Sequence, residues 1–315
     1  MGVESTMIGI IFYAYGAPKS IDDLPDFFAH LVHGKEVTTK MIEDFVKRYR
    51  AFGSNDPLGA HSARIAQGLE KLLNSHSKAI KVYNAYKHTS PFLEETLQRM
   101  LDDQVETIVT FSVNPIFSPT GAGVYQKEVE DLLAKSGVNK ELIHIKNWNT
   151  HPAIISVYGD RVRRAFRWLP AHGQENAFVL FTVHSQPLNP KGNDKYIEQF
   201  QAMAQAVASE AGISNWMLSY RSASSKVGWL GPDVKDIIRS LVEVGARGFV
   251  TCELLSVVAD MESYFEIGRD AQLVSEELKV DFVRAEFPGD SFDTVNALGE
   301  IVREQLTMKI KRIKD

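Results

Sequence analysis

His184 follows the apolar run 177–183 and precedes Ser185-Gln186-Pro187. A neutral imidazole there can accept a proton or bind a divalent metal; the plainer reading is a core or capping histidine. Glu262 and Glu266 lie one turn apart on a predicted helix and share a face, with Asp260 beside them. They form either an acidic track or a solvated helix face. One imidazole with one or two carboxylates suits an oxygen- and nitrogen-preferring ion such as iron(II), held with open coordination positions. Lys87-His88 closes another apolar run, and the Ser90-Pro91 after it reads as a helix cap followed by proline at the first helical position. Gly121-Ala122-Gly123 opens a predicted helix whose N–H groups can hold a carboxylate or phosphate, a plain tight turn being the simpler reading. No nucleotide fingerprint of the G-x-G-x-x-G or G-x-x-x-x-G-K-[ST] type is present. Ser185 is no hydrolase nucleophile: neighbours at a strand end point in opposite directions, and G-x-S-x-G is absent.

The elements that must position these residues alternate. Short β-branched runs at about 8–14, 79–86, 106–113 and 142–146 are followed by a second set at about 177–183, 214–220, 247–254 and 280–285. Several are continuously apolar, as in parallel strands covered on both faces. Helix-period segments lie between them at about 60–75, 91–103, 122–136, 151–168, 194–211, 232–244, 261–277 and 290–310. Strand–helix alternation predicts parallel sheets with right-handed crossovers. The spacing predicts two similar α/β halves, 1–150 and 151–315, the first carrying an insertion at about 19–60 with helical patterns near 21–32 and 39–51. In such sheets ligands bind beyond the carboxyl ends of the strands. Those ends carry Ala14-Tyr15-Gly16, Asn114-Pro115, His184-Ser185, Tyr220-Arg221-Ser222 and, after the seventh strand, Ala259-Asp260-Met261-Glu262. Two domains meeting there would enclose a cleft with apolar walls and a few polar groups.

Composition narrows the classes. The 315 residues carry a formal charge of −5, 44 % apolar and 24 % charged side chains, and one cysteine, Cys252. That excludes a disordered chain, an internal disulfide, a Cys-based zinc site and a four-thiolate cluster, and gives no global reason to bind nucleic acid. The longest early apolar run, 8–15, is far short of the roughly 20 residues of a membrane helix and lacks signal-peptide flanks, so a cytoplasmic protein is expected. The basic stretch 309–314 reads as a solvated helix end, with peripheral membrane contact as the most it implies.

The chain resembles ferrochelatases, most closely the soluble coproporphyrin ferrochelatases of Gram-positive bacteria. The segments that carry the resemblance are Ala14-Tyr15-Gly16-Ala17-Pro18, Arg48-Tyr49, Pro57-Leu58, Lys87-His88-x-x-Pro91-Phe92, Pro115-x-Phe117-Ser118 with Tyr125, His184-Ser185-x-Pro187, Trp229-Leu230-Gly231-Pro232-Asp233-Val234, and Glu262 with Glu266. They follow family order over nearly the whole chain. The resemblance implies two Rossmann-like, chelatase-type domains with four-stranded parallel sheets and a porphyrin cleft between them. It implies insertion of ferrous iron, as substrate, into a porphyrin, coproporphyrin III first among them, in haem biosynthesis. It implies no permanently bound cofactor and no iron–sulfur cluster, a monomer, and a haem-handling protein as partner. His184 and Glu262 would be the catalytic proton acceptors and metal residues, with Tyr15 and Glu266 as further metal groups. Tyr15, Arg48, Tyr49, Tyr125 and Trp229 would contact the porphyrin, and Phe12, Phe27, Phe28 and Phe117 would wall it. The sequence departs from the family pattern at Val32, Asp56, Ile116, Ala223 and Met261, mostly at substrate-carboxylate positions. Two alternatives follow: a chelatase for another tetrapyrrole or for cobalt, and a non-catalytic porphyrin- or haem-binding paralogue.

Overall fold

The computed structural model describes residues 7–32, 38–52, 57–76, 80–119, 121–189, 192–223 and 228–314. Asp56 lies outside them, as do the side chains of 309–314. Two compact units are present: residues 1–113, 119–146 and 298–315 form one, and 114–118 with 147–297 the other.

In the first unit, β1 (Ile8–Ala14) is followed by α1 (Leu24–Leu31), α2 (Thr39–Phe52) and α3 (Pro57–Leu73), then β2 (Ile80–Tyr86), α4 (Leu93–Asp102), β3 (Thr107–Ser112), α5 (Ala122–Ser136) and β4 (Glu141–Ile145). The sheet order is β2-β1-β3-β4, all parallel. β3 is buried at every position, because crossover helices cover a parallel sheet on both sides. The sheet's core joins Ile11, Tyr13, Leu97, Met100, Ile108 and Val129.

The second unit repeats the plan. α6 (Pro152–Trp168) and the short α7 (Ala171–Gln174) lead to β5 (Ala177–His184), α8 (Asp194–Ala211), β6 (Trp216–Arg221), α9 (Val234–Glu243) and β7 (Gly248–Glu253). Then come α10 (Met261–Tyr264), a π-helical turn (Phe265–Asp270), α11 (Ala271–Glu277), β8 (Asp281–Arg284) and α12 (Phe292–Lys314). The order is β6-β5-β7-β8, again parallel and the same permutation as in the first sheet. α9 buries Val234, Ile237 and Ile238, at helical spacing, against Leu180, Phe249 and Ile267. Full burial of each such side chain contributes roughly 1.5–3 kcal/mol.

The elements match the expected ones to within a few residues, with three differences. Ser90 does not cap a helix: α4 starts at Leu93, and the Glu95 carboxylate accepts from Ser90 Oγ at 2.8 Å and from the Phe92 N–H at 3.1 Å. The predicted helix 261–277 is interrupted by the π turn. Residues 298–315, placed by the sequence pattern with the second half, group with the first. There the Leu72 carbonyl accepts from Arg303 at 3.1 Å, and a Cβ on Gly299 would come within 2.5 Å of the Leu72 side chain. No described helix is long and apolar enough to cross a membrane.

Candidate active site

Three neighbouring strands of the second sheet, β6, β5 and β7, end in Arg221, His184 and Glu253. Register puts their side chains together. His184 pairs with Arg221 and Thr182 with Glu253, and residues 182 and 184 share a sheet face. The Ser185 carbonyl accepts from His184 Nδ1 at 2.5 Å, which leaves Nε2 as the working nitrogen. Nε2 lies 3.2 Å from Glu262 Oε2. The same oxygen accepts from the Arg221 guanidinium at 2.5 Å.

Arg221 is 4 % exposed and meets three carboxylates: Glu262, Asp260 at 3.0 Å, and Glu253, whose Oε2 is 3.3 Å from Nε. Burial works against its charge, but Asp260, Glu253, Glu262 and Glu266 outweigh that and hold it firmly protonated. Asp260 is fixed by its own helix end. Its Oδ1 accepts from the Ser263 N–H at 2.6 Å, while Ser263 Oγ accepts from the Asp260 N–H at 3.2 Å.

Glu262 and Glu266 both turn toward the end of β6, at neighbouring residues. Glu266 accepts from the Ser222 N–H at 2.5 Å and from Ser222 Oγ at 2.9 Å. Ser222 reaches this position at φ 59, in the left-handed region where non-glycine residues are uncommon and strained residues gather at functional sites. The π turn carrying Glu266 is likewise a feature frequent at such sites. For Glu262 burial would raise the carboxyl, but the His184 hydrogen bond and the Arg221 charge together hold it well below the usual range. Burial and the neighbouring Glu262 charge raise Glu266, against the Ser222 hydrogen bonds.

Glu253, 4 % exposed, accepts from Thr182 Oγ1 at 3.0 Å and from the Leu255 N–H at 3.3 Å. Burial, opposed by Arg221, pushes its carboxyl up to about 7. An unfolded glutamate titrates near about 4.3, so the folded state binds the extra proton between these values. The stability this supplies is complete below the unfolded value and is lost as pH rises through about 7. Raising the pH from about 5 to about 8 should therefore lower the wild-type Tm relative to that of Glu253→Gln, with the largest gap at the alkaline end. Parallel Tm curves would refute this titration.

The sequence-chosen residues divide. His184, Glu262 and Glu266 come together around Arg221 and Ser222, and the half-buried Trp229 lies beside His184 with ring centroids 6.4 Å apart. Tyr15 is on the first unit, 44 % exposed, its ring 4.5 Å from that of His88. The β1–β2 ladder runs on to set this pair, the carbonyls of Ala14 and Tyr15 accepting from the N–H groups of Lys87 and His88. His88 also meets His30, Nδ1 to Nδ1 at 2.9 Å. Arg48 is exposed on α2.

Other residues sit in packed surroundings. Tyr125 is packed in the first core and stacked on Tyr13 at 3.9 Å, so its ring faces are not a free porphyrin platform. Tyr49 is 3 % exposed and donates its hydroxyl to the Pro18 carbonyl at 2.6 Å, anchoring α2. Phe12, fully buried, packs on Phe111, and Phe28 packs edge-on against Phe45, so these are core rings. Phe27 is 7 % exposed, and Ile116 is buried. Cys252 is buried in β7, and burial pushes its thiol up, away from thiolate chemistry. Arg221 and Glu253 received no role from the sequence; the available signal was a charged residue closing an otherwise apolar strand.

Paired four-stranded parallel sheets of one shared strand order define an α/β fold, and solved chelatase structures share it. The fold is similar to that of SirB from Bacillus subtilis with Fe3+ at TM-score 0.62 and 12 % identity, covering 95 % of this chain and 96 % of that one. The sirohydrochlorin chelatase SirB of Bacillus subtilis subspecies spizizenii, in complex with cobalt, gives TM-score 0.58 at 10 % identity, covering 95 % of each chain. At the level of sequence, the ferrochelatase family model matches residues 7–306, and the chain belongs to the ferrochelatase family. Its relatives include the coproporphyrin III ferrochelatase of Anoxybacillus flavithermus, 30 % identical over 96 % of this chain and 98 % of that protein. The coproporphyrin III ferrochelatase of Bacillus subtilis is 28 % identical over 95 % of this chain and 98 % of that protein. The ferrochelatase of Deinococcus radiodurans is 29 % identical over 88 % of this chain and 89 % of that protein.

Proposed function

We propose that this ferrochelatase inserts ferrous iron into coproporphyrin III and that His184 and Glu262 carry the chemistry. The observation that supports the assignment of residues is the 3.2 Å pair of His184 Nε2 and Glu262 Oε2 at the carboxyl edge of the second sheet. Metallation releases two pyrrole protons and strips water from the metal. With Nδ1–H given to Ser185, Nε2 is the exchanging nitrogen: protonated it donates to Glu262, and without its proton it offers a lone pair that takes either a proton or a coordination position. The Glu262 carboxylate, kept ionised by Arg221, stabilises the imidazolium formed when Nε2 takes a pyrrole proton. It is equally a hard oxygen ligand for a divalent ion. Glu266, held at the neighbouring Ser222 with its carboxyl raised by burial and by the Glu262 charge, is the next proton acceptor. Trp229, beside His184, offers a flat apolar face to a macrocycle. For Tyr15 we propose the part the resemblance implies, an iron-ligating phenolate. The choice of coproporphyrin III rests on the names of the Anoxybacillus and Bacillus relatives.

The test is an anaerobic metallation panel of coproporphyrin III and protoporphyrin IX with Fe2+ and Co2+, followed by absorbance. Expected is the highest kcat/KM for Fe2+ with coproporphyrin III. Preference for protoporphyrin IX or cobalt would overturn the substrate assignment, and absence of turnover with every pair would overturn the reaction.

A further inference from the structure

We infer that Arg221 is a positioning residue that occupies Glu262 as an internal counter-ion, so that an incoming divalent metal must compete with a guanidinium for the carboxylate. This rests on the reading of His184 and Glu262 as the metal-handling pair.

One oxygen carries the argument. Glu262 Oε2 faces both His184 Nε2, at 3.2 Å, and Arg221, at 2.5 Å. A metal held between imidazole and carboxylate draws on electron density that the guanidinium already uses. Arg221 cannot simply swing aside. Its 4 % exposure, the Asp260 contact at 3.0 Å and the Glu253 contact at 3.3 Å hold the fork from two further directions. Asp260 is itself tied down by Ser263, and Glu253 by Thr182 and the Leu255 N–H. The guanidinium is planar and permanently charged, so it stays a fixed positive neighbour of any cation bound at this pair.

The consequence is functional. A metal on its way into a porphyrin must leave its protein ligands, and binding it too tightly beforehand deepens the ground state without helping the transition state. Arg221 keeps the carboxylate correctly aimed while holding its affinity for the cation down. Removing the guanidinium should tighten metal binding and slow metal transfer together, a pairing that loss of structure alone does not produce.

The experiment titrates Co2+ alone into the full-length protein without porphyrin, by calorimetry, for wild type, Arg221→Gln and Arg221→Lys. Metallation kinetics are measured alongside. The expected result for Arg221→Gln is a Kd for Co2+ lowered about tenfold or more, a lower KM for the metal, a lower kcat and an unchanged KM for the porphyrin. Arg221→Lys, which returns a positive charge, should move each value back toward wild type. Should Arg221→Gln fail to fold, the double variant with Glu253→Gln removes the buried charge on both sides and carries the same expectation. A Co2+ affinity within twofold of wild type, or weaker binding, overturns the inference. A protein that metallates porphyrin while its Co2+ affinity ignores Arg221 keeps the proposed function and loses this inference. The reverse combination loses the function and keeps the inference.

Discussion

His184→Ala lowers kcat for metallation by about 10²–10⁴-fold, the usual worth of a positioned acid–base group. The substitution removes both the proton-accepting lone pair and the nitrogen that faces Glu262. It removes little else. His184 closes its strand, and its Nδ1 meets only the carbonyl of the next residue, Ser185. The β5–β6 ladder is held by backbone groups that alanine retains. Stability should therefore move much less than activity, and thermal unfolding of the variant serves as the control. Retention of wild-type turnover would show that proton removal runs elsewhere, with Glu266 the first group to test. The wild-type measurement also separates the catalytic reading from that of a porphyrin-binding paralogue, in which porphyrin affinity but no turnover is found.

The second large effect is on stability. Arg221→Leu should destabilise the second unit by about 3–5 kcal/mol, because it strands a buried carboxylate rather than because it loses a favourable contact. Glu253, at 4 % exposure, has the guanidinium as its nearby opposite charge, whereas Asp260 and Glu262 keep 32 % and 44 % of their side-chain surface in water. The cost should be smaller near pH 6 than near pH 8: Arg221 is what lowers the Glu253 carboxyl, so without it Glu253 escapes by holding a proton, which becomes costlier as pH rises. Adding Glu253→Leu to Arg221→Leu should recover most of the loss, and denaturant unfolding of the two single variants and the double variant measures the coupling. Additive losses would mean that Glu253 is already neutral or satisfied without Arg221, and would refute the counter-ion account of this corner.

Much of this was legible from residue order. Apolar runs of strand length, separated by helix-period segments, determined two parallel sheets, because a parallel strand must be covered on both faces and each crossover needs a helix. The eight strands among the described residues fall where those runs lie. His184 and Glu262 were visible for a related reason: a polar residue closing an apolar strand, or opening the helix after one, belongs at the carboxyl edge where ligands bind. The glutamate pair at 262 and 266 was readable from helical spacing, although a π turn rather than a regular helix carries Glu266.

Partners across strands were not legible, since sequence spacing says nothing about register between segments many residues apart. Arg221 lies 41 residues from Glu262, and Glu253 meets a hydroxyl 71 positions earlier, at Thr182. Only the alignment of β6, β5 and β7 brings them to one corner. The same limit explains the aromatic residues. Tyr49, Tyr125, Phe12 and Phe28 have the composition of a ring-binding wall, yet the tertiary structure spends them on a carbonyl, a stacked tyrosine and two phenylalanine contacts. An aromatic side chain satisfies a core and a ligand equally well, and packing alone decides which it meets. For the one cysteine, the sequence by itself excluded thiolate clusters by count, while the fold buried Cys252 in β7 behind the carboxylate that ends the strand. The residue types fixed what chemistry was possible. The strand register decided that the Glu262 carboxylate would share its oxygen with a buried arginine, because only the folded sheet places a charge from β6 beside an imidazole from β5.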